Sequence, residues 1–186
     1  MNAVVPALTH MGIFTDNPDE MRNFYEQVLG MIVSDSGMGT LFQRRIIFMT
    51  GDPLQHHQFV LVARQEGDPP GGALFQVSFK VPTYEGLRTT AARATTCGAT
   101  DMQGINHGNS WSLYFRDPDR NMVEIYMDTE WYLPQPFGER FSVDSSEEEM
   151  RAITAERVRA IAGAKPRSEW SEEVRLRLDA HRRAKS

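Results

Sequence analysis

Short apolar segments punctuated by turn residues fill the first two thirds of the chain, and polar segments with helical spacing fill the rest. LTHMGIFT (8–15) reads as a strand. In DEMRNFYEQVLG (19–30) the apolar positions fall at 21, 24, 25, 28 and 29, one face of a helix that Gly30 stops. RRIIFMTGDP and HHQFVLV then read as two strands joined by a turn at Gly51-Asp52-Pro53. The same order returns. LFQVSFKV (74–81) is a strand, YEGLRTTAARATTCGA a helix ending at Gly98, and NSWSLYFRDPDRNMVEIYM a strand, an Asp-Pro turn and a strand.

This recurrence is an internal repeat. Matching the first strands sets His10 opposite Gln76, an offset of 76 − 10 = 66. Matching the Asp-Pro turns sets Asp52 opposite Asp117, an offset of 117 − 52 = 65. With a short strand near 31–35 and another near 100–105, each unit reads β-α-β-β-β. The predicted fold is α+β: two β-α-β-β-β repeats, about 7–65 and 73–128, forming a half-barrel cleft in a 1–128 module, with a C-terminal helical extension.

Beyond residue 128, Trp131-Tyr132-Leu133-Pro134-Gln135-Pro136-Phe137 holds two prolines two apart, which forbids regular helix or central strand. It reads as an extended aromatic arm within 129–144. The tail, 145–186, opens with a capping box of Ser146 and Glu149. That helix is expected to run to Ala162, and Pro166 separates it from a second one over about 169–184. A solvated or subunit-bridging pair of helices is the simplest reading. The basic end (His181, Arg182, Arg183, Lys185) suits a helix C-terminus.

Composition narrows the function. Forty per cent hydrophobic and 24% charged residues are ordinary for a soluble globular chain. No apolar run approaches the roughly 20 residues of a membrane span, and no secretory signal is visible at the start. The single cysteine, Cys97, excludes an internal disulfide and a cysteine zinc site. A cytoplasmic location is expected. A net charge of −5 removes the electrostatic drive for nucleic-acid binding.

None of the five histidines has a local helical metal signature, so ligands must be gathered from separate strands. Alternation sends His57, Phe59 and Leu61 to one side of HHQFVLV and Met122, Glu124 and Tyr126 to one side of NMVEIYM. The turn alignment puts Phe59 opposite Glu124 and His57 opposite Met122, so Glu124 is expected on the face of His57. A lone carboxylate in an apolar strand is costly unless paired or metal-bound; a salt-bridged or edge glutamate is the plainer alternative. His10 and Gln76, in equivalent strands, complete an N, O, O set on one concave surface. It resembles a 2-His-1-carboxylate triad with an amide in place of one imidazole. Each could instead be ordinary strand lining. His107, in a Gly/Asn loop, and Tyr114, ten residues before Glu124, could face the same cleft. Arg44 and Arg45 could grip an anionic substrate or simply be solvated.

These segments resemble the vicinal oxygen chelate superfamily, which includes glyoxalase I, bleomycin and fosfomycin resistance proteins and type I extradiol dioxygenases. The opening signature is THMGIFTDNPDEMRNFYEQVLGM and the closing one HGNSWSLYFRDPDRNMVEIYMD. WYLPQPFGERF and the tail look like those of single-module biphenyl-2,3-diol dioxygenase-like proteins. The resemblance implies metal ligands at His10, Gln76 and Glu124. It implies an acid–base histidine at His57, with His56 the alternative register, and substrate-facing groups at His107 and Tyr114. Extradiol enzymes carry histidine where Gln76 stands. The second glyoxalase ligand, a glutamate, maps to Phe59, which counts against glyoxalase I.

The expectation is a metal-dependent extradiol dioxygenase using Fe(II), with Mn(II) or another divalent ion as the alternative. It would act on a small aromatic diol with O2, as a homodimer strapped by the 131–137 arm. Two other readings stand beside it. One is a redox-neutral isomerase, epimerase or lyase of the glyoxalase type. The other is a metal-free protein that sequesters an aromatic compound, its pocket lined by Met31, Met38, Phe42, Met49, Phe59 and Phe75.

Overall fold

A computed structural model describes residues 7–41, 43–68 and 74–183 of the 186. The first unit comprises β1 (Met11–Thr15), α1 (Pro18–Leu29), β2 (Ile32–Met38), β3 (Arg45–Thr50) and β4 (Phe59–Ala63). The second comprises β5 (Val77–Lys80), α2 (Tyr84–Thr96), β6 (Thr100–Asn106), β7 (Ser110–Arg116) and β8 (Met122–Asp128). Their sheets repeat one order, β1-β4-β3-β2 and β5-β8-β7-β6, the second extended beyond β6 by β10 (Glu139–Phe141). β9 (Trp131–Tyr132) pairs with β11 (Lys165–Pro166), and α3 (Glu147–Ala160) and α4 (Arg167–Arg183) form the tail. The α+β class expected from the periodicity is the observed one.

Local chemistry explains the boundaries. Gly30 ends α1 in the left-handed conformation at φ 69°, where glycine escapes the Cβ clash. Thr83 caps α2 through the amide of Gly86, and the Ser146–Glu149 capping box closes reciprocally on α3. In both sheets one face is packed under helices. Ile47, Met49, Phe59 and Leu61 of the first, and Trp111, Leu113, Phe115, Val123 and Ile125 of the second, join Met21, Phe24, Tyr25 and Leu87 in one core. Tyr25 is pinned there by its hydroxyl, which donates to Asp117 Oδ2 at 2.9 Å, while the Asn121 amides donate to the same carboxylate. The Asp-Pro turn is therefore a buried polar joint between α1 and the β7–β8 loop. Burial pushes the Asp117 carboxyl and the Tyr25 phenol above their usual ranges.

Several expectations change. His10 and Gln76 each stand one residue before their strand, and His56 and His57 lie in the loop ahead of β4. Gly12 pairs with Val60, and Ser78 with Glu124, so the counterpart of Glu124 is Val60 rather than Phe59. Phe59 and Leu61 point into the core, on the face opposite to that of Glu124. Met31, Met49 and Phe59 are core, whereas Met38 and Phe75 are 62% and 81% exposed, so these five do not line one pocket. Phe42 lies outside the described residues, as does Lys185. Arg44 is bound to Asp68 and Arg45 to Asp19, so neither is free to grip a substrate. Helix α3 ends at Ala160, two residues before the expected Ala162, and α4 starts at Arg167 rather than near 169.

The arm is used within its own chain. Leu133 is fully buried, and a Cβ on Gly108 would lie 2.6 Å from its Cδ2. Arg140 and Phe141 pair with Ile105 and Gly104 of β6. Gly104 has no room for a side chain, because a Cβ there would meet Phe141 at 2.8 Å. Among the described residues no helix is long and apolar enough to cross a membrane.

Candidate functional site

The open face of the second sheet carries the polar residues. On β8 the side chains of Val123, Ile125 and Met127 enter the core, so Met122, Glu124, Tyr126 and Asp128 share the other face. Register sets Tyr114 of β7 on one side of Glu124 and Ser78 of β5 on the other. Glu124 is only 8% exposed and accepts three hydrogen bonds from neutral groups. Tyr114 donates to Oε1 at 2.7 Å; Ser78 and the Gln76 amide donate to Oε2 at 2.5 and 2.9 Å. With its nitrogen committed to Glu124 and Ser78, Gln76 keeps its carbonyl oxygen unengaged among the described residues.

His107 extends this chain. Its Nε2 lies 3.0 Å from the Tyr114 hydroxyl, and its Nδ1 lies 2.8 Å from the carbonyl oxygen of Phe137 in the arm. A carbonyl only accepts, so Nδ1 carries a proton, and in the neutral ring Nε2 is bare. The single Tyr114 proton cannot serve both neighbours. Tyr114 thus stands between two acceptors, Glu124 Oε1 at 2.7 Å and His107 Nε2 at 3.0 Å, and links ring and carboxylate in one chain through which a proton can be passed. Burial, then the hydrogen bond and charge of Glu124, push the Tyr114 phenol far above its ordinary value, so its hydroxyl stays protonated.

A second group lies in the first unit. The His10 and His57 rings meet edge-to-face at 4.4 Å, and His57 leans on Phe48 at 5.0 Å. His56 Nδ1 touches His57 Nδ1 at 2.9 Å, and its Nε2 is 4.0 Å from Asp35. Of the two registers left open, His57 is the histidine against His10. Its pKa is lowered by burial first and then by its two histidine neighbours. His10 Nδ1 bonds Thr9 Oγ1 at 3.1 Å, which leaves Nε2 available.

The structure therefore joins Gln76, Glu124, Tyr114 and His107 in one network and His10 and His57 in another. Among the described residues no three of His, Cys, Asp and Glu form a group that could hold a metal. The expected set contains only two such residues, with Gln76 the third. Its donors nonetheless suit a hard or borderline divalent ion. They are a buried carboxylate held by neutral donors, with no cation against it among the described residues, an unengaged amide oxygen and a free imidazole nitrogen. Ser78 and the Phe137 carbonyl were not foreseen. Only the parallel register that sets Ser78 beside Glu124, and the fold-back of the arm, reveal them.

Comparison with known proteins agrees with this architecture. Residues 7–125 match the family model described as the glyoxalase/bleomycin resistance protein/dioxygenase superfamily. A curated relative, biphenyl-2,3-diol 1,2-dioxygenase 3 of Rhodococcus globerulus, is 30% identical over 135 residues, covering 67% of this chain. The chain spans 65% of that relative's length. A glyoxylase/bleomycin resistance protein/dioxygenase domain from Frankia sp. EAN1pec superposes with TM-score 0.56 at 20% identity, over 68% of this chain and 100% of that one. FosX of Listeria monocytogenes, a fosfomycin resistance protein complexed with Mn(II) and sulfate, superposes with TM-score 0.51 at 14% identity, over 68% and 95%.

Proposed function

The chain belongs to the glyoxalase/bleomycin resistance protein/dioxygenase superfamily, and within it we propose a metal-dependent extradiol dioxygenase that cleaves a catechol-type aromatic with O2. The observation that carries this reading is the buried Glu124 carboxylate, linked through Tyr114 to His107 on the open face of a sheet. The 30% identity to a biphenyl-2,3-diol dioxygenase supports it. His10, through Nε2, Gln76, through its carbonyl oxygen, and Glu124 would hold Fe(II), or Mn(II) in its place. When bound, such an ion supplies a Lewis-acidic, redox-capable centre that gathers diol and dioxygen.

The protein's own groups do the remaining work. The Tyr114 hydroxyl hydrogen-bonds a substrate oxygen at the Glu124 carboxylate. His107, fixed in one tautomer by the Phe137 carbonyl, holds or returns the relay proton through Nε2. His57 accepts a proton from the diol and gives it back to the product. The Phe48 ring, packed against His57, shields that side of the imidazole from water. The enzyme works in the cytoplasm as a homodimer, a state favoured by the edge positions of β1 and β5 in their sheets, unpaired among the described residues, and by exposed Leu74 and Phe75.

The test is oxygen uptake by the anaerobically Fe(II)-loaded protein with a catechol panel that includes 2,3-dihydroxybiphenyl. Stoichiometric uptake with a yellow ring-opened product, lost in Glu124→Ala and His57→Ala, is the expected result. No uptake with one iron retained per chain would replace this reading by a redox-neutral reaction. No uptake and no iron retained would make the cleft a binding site.

A further inference from the structure

Between the open face of the second sheet and the tail lies a pocket of about 150 Å³. Its floor is Ser110, Tyr126 and Asp128, and its walls are Trp131, Tyr132 and Trp170. Tyr126 and Asp128 lie on the Glu124 face of β8, two and four residues further along. Four residues of extended strand span about 13 Å. The pocket is therefore the continuation of the surface that carries the candidate chemistry. All but two of its lining residues (Asn109 and Ser110) lie beyond the 7–125 segment that matches the superfamily.

The walls are aromatic. Tyr132 and Trp170 stack on each other, with ring centroids 5.3 Å apart and planes 10° from parallel, so they present one joint aromatic surface to the pocket, and β9–β11 pairing fixes Tyr132 beside Lys165. A cavity of this volume accommodates one benzene-sized ring. Its charge is also defined. Arg167 bonds Asp128 Oδ1 at 2.7 Å and Lys80 bonds Asp128 Oδ2, so two cations share one carboxylate and leave a net positive charge. Further out, Lys165 pairs with Glu173 and also feels Glu169, and Arg151 is shared by Glu130 and Glu147. Asn109, also on the lining, has a buried Oδ1 with no hydrogen-bond partner among the described residues. The side-chain oxygen and nitrogen of an asparagine exchange places on an amide flip, so this position can offer an N–H to an anion.

We propose that this pocket binds the far end of the substrate, a ring bearing a carboxylate or similar anion, while the diol sits at Glu124. The identity of that molecule as the substrate rests on the dioxygenase reading; the existence of an anionic-ring site does not. Arg167 and Lys80 set the specificity for charge, and Trp131, Tyr132 and Trp170 set it for a planar ring.

Two of the three tryptophans, Trp131 and Trp170, line the pocket, and the third, Trp111, is buried in the core. Intrinsic fluorescence of the full chain therefore reports occupancy. Benzoate is expected to quench it saturably, with affinity at least about tenfold above that for benzamide or benzylammonium. Arg167→Met should lower benzoate affinity about tenfold. Lys80→Met, at an exposed side chain whose loss leaves the Arg167–Asp128 pair intact, should lower it severalfold, which protects the test should Arg167→Met disturb the tail. Glu124→Gln should leave benzoate binding unchanged. With oxygen uptake as readout, a catechol carrying a carboxylated second ring should show about tenfold lower KM than catechol, an advantage lost in Arg167→Met with catechol turnover retained. Absence of saturable quenching, or equal binding of benzylammonium, overturns the site. Saturable benzoate binding with no oxygen uptake from any diol keeps the site and removes the dioxygenase.

Discussion

Gly108 joins the arm to the relay, and replacing it tests whether that joint is as tight as its geometry indicates. Its φ of +75° lies in the left-handed region, where any Cβ costs about 1–2 kcal/mol. An alanine methyl would lie 2.6, 2.8 and 2.9 Å from three side-chain atoms of Leu133. Leu133 is fully buried and cannot swing away, so overpacking adds about 1–3 kcal/mol. Gly108→Ala should therefore destabilise the chain by about 2–5 kcal/mol. Leu133→Ala opens a cavity at the same place and should cost a comparable 2–5 kcal/mol, roughly.

The double variant separates the causes. Once Leu133 is truncated, the methyl introduced at position 108 has space, so the clash disappears and only the backbone penalty remains. Equilibrium urea unfolding followed by circular dichroism should give a double variant about 1–3 kcal/mol more stable than the sum of the single losses predicts. Strict additivity, within about 0.5 kcal/mol, would refute the reasoning, because it would mean that residues 108 and 133 do not share a contact. In the same variants His107 should lose its fixed tautomer, since Phe137 follows Leu133 in the arm, and turnover should fall with stability.

Four further expectations follow from named contacts. Asp117 has a raised folded pKa, so its protonated form is favoured by folding; the stability this lends is full below the unfolded value near 3.8 and is lost as pH rises through the folded value. Wild type should therefore lose urea stability relative to Asp117→Asn as pH rises above the usual carboxylate range, and Tyr25→Phe, which removes a donor to that carboxylate, should cost about 1.5–3 kcal/mol near neutrality. Tyr114→Phe should retain bound metal, measured by elemental analysis, yet lose about 10²–10⁴ in kcat/KM, the usual worth of a positioned proton donor. Ser146→Ala breaks the capping box of α3 and should cost about 1 kcal/mol, read from thermal unfolding of the full chain.

Helices and hairpins were legible because their signals are local. The apolar spacing in 19–30, Gly30 beyond it and the Ser146–Glu149 box each act within one or two turns, and each is found where the pattern put it. Facing residues across the repeat were harder. Met49 pairs with Phe59 in the first hairpin and Phe115 pairs opposite Val123 in the second, spans of 59 − 49 = 10 and 123 − 115 = 8 residues. The first loop is thus two residues longer. Aligning the two Asp-Pro turns spread that difference evenly, and the one-residue error moved Phe59 to the wrong face, because side chains alternate with every residue. Histidines gave no correction: an imidazole is tolerated in core, cleft or loop, so the alternation of HHQFVLV does not say where its strand begins.

The site depends on contacts that no local pattern encodes. Glu124 stood out because a carboxylate in an apolar strand demands a partner, and that demand is physical and visible in sequence. Its partners Ser78, on β5, and Gln76, just before it, come from 46 and 48 residues earlier, and the carbonyl that fixes His107 comes from an arm 30 residues later. The arm is shaped by steric exclusion more than by attraction. Gly104 and Gly108 leave the space that Phe141 and Leu133 fill, and a single methyl at either position would lift the arm from the sheet. The same fold-back brings Tyr132 against Trp170 and closes the pocket beside Asp128. Two glycines on one strand and its loop thus hold both the tautomer of the relay histidine and the wall of the distal pocket. Variation of the arm and tail can then alter ligand choice while the Glu124–Tyr114 pair on β7 and β8 stays in place.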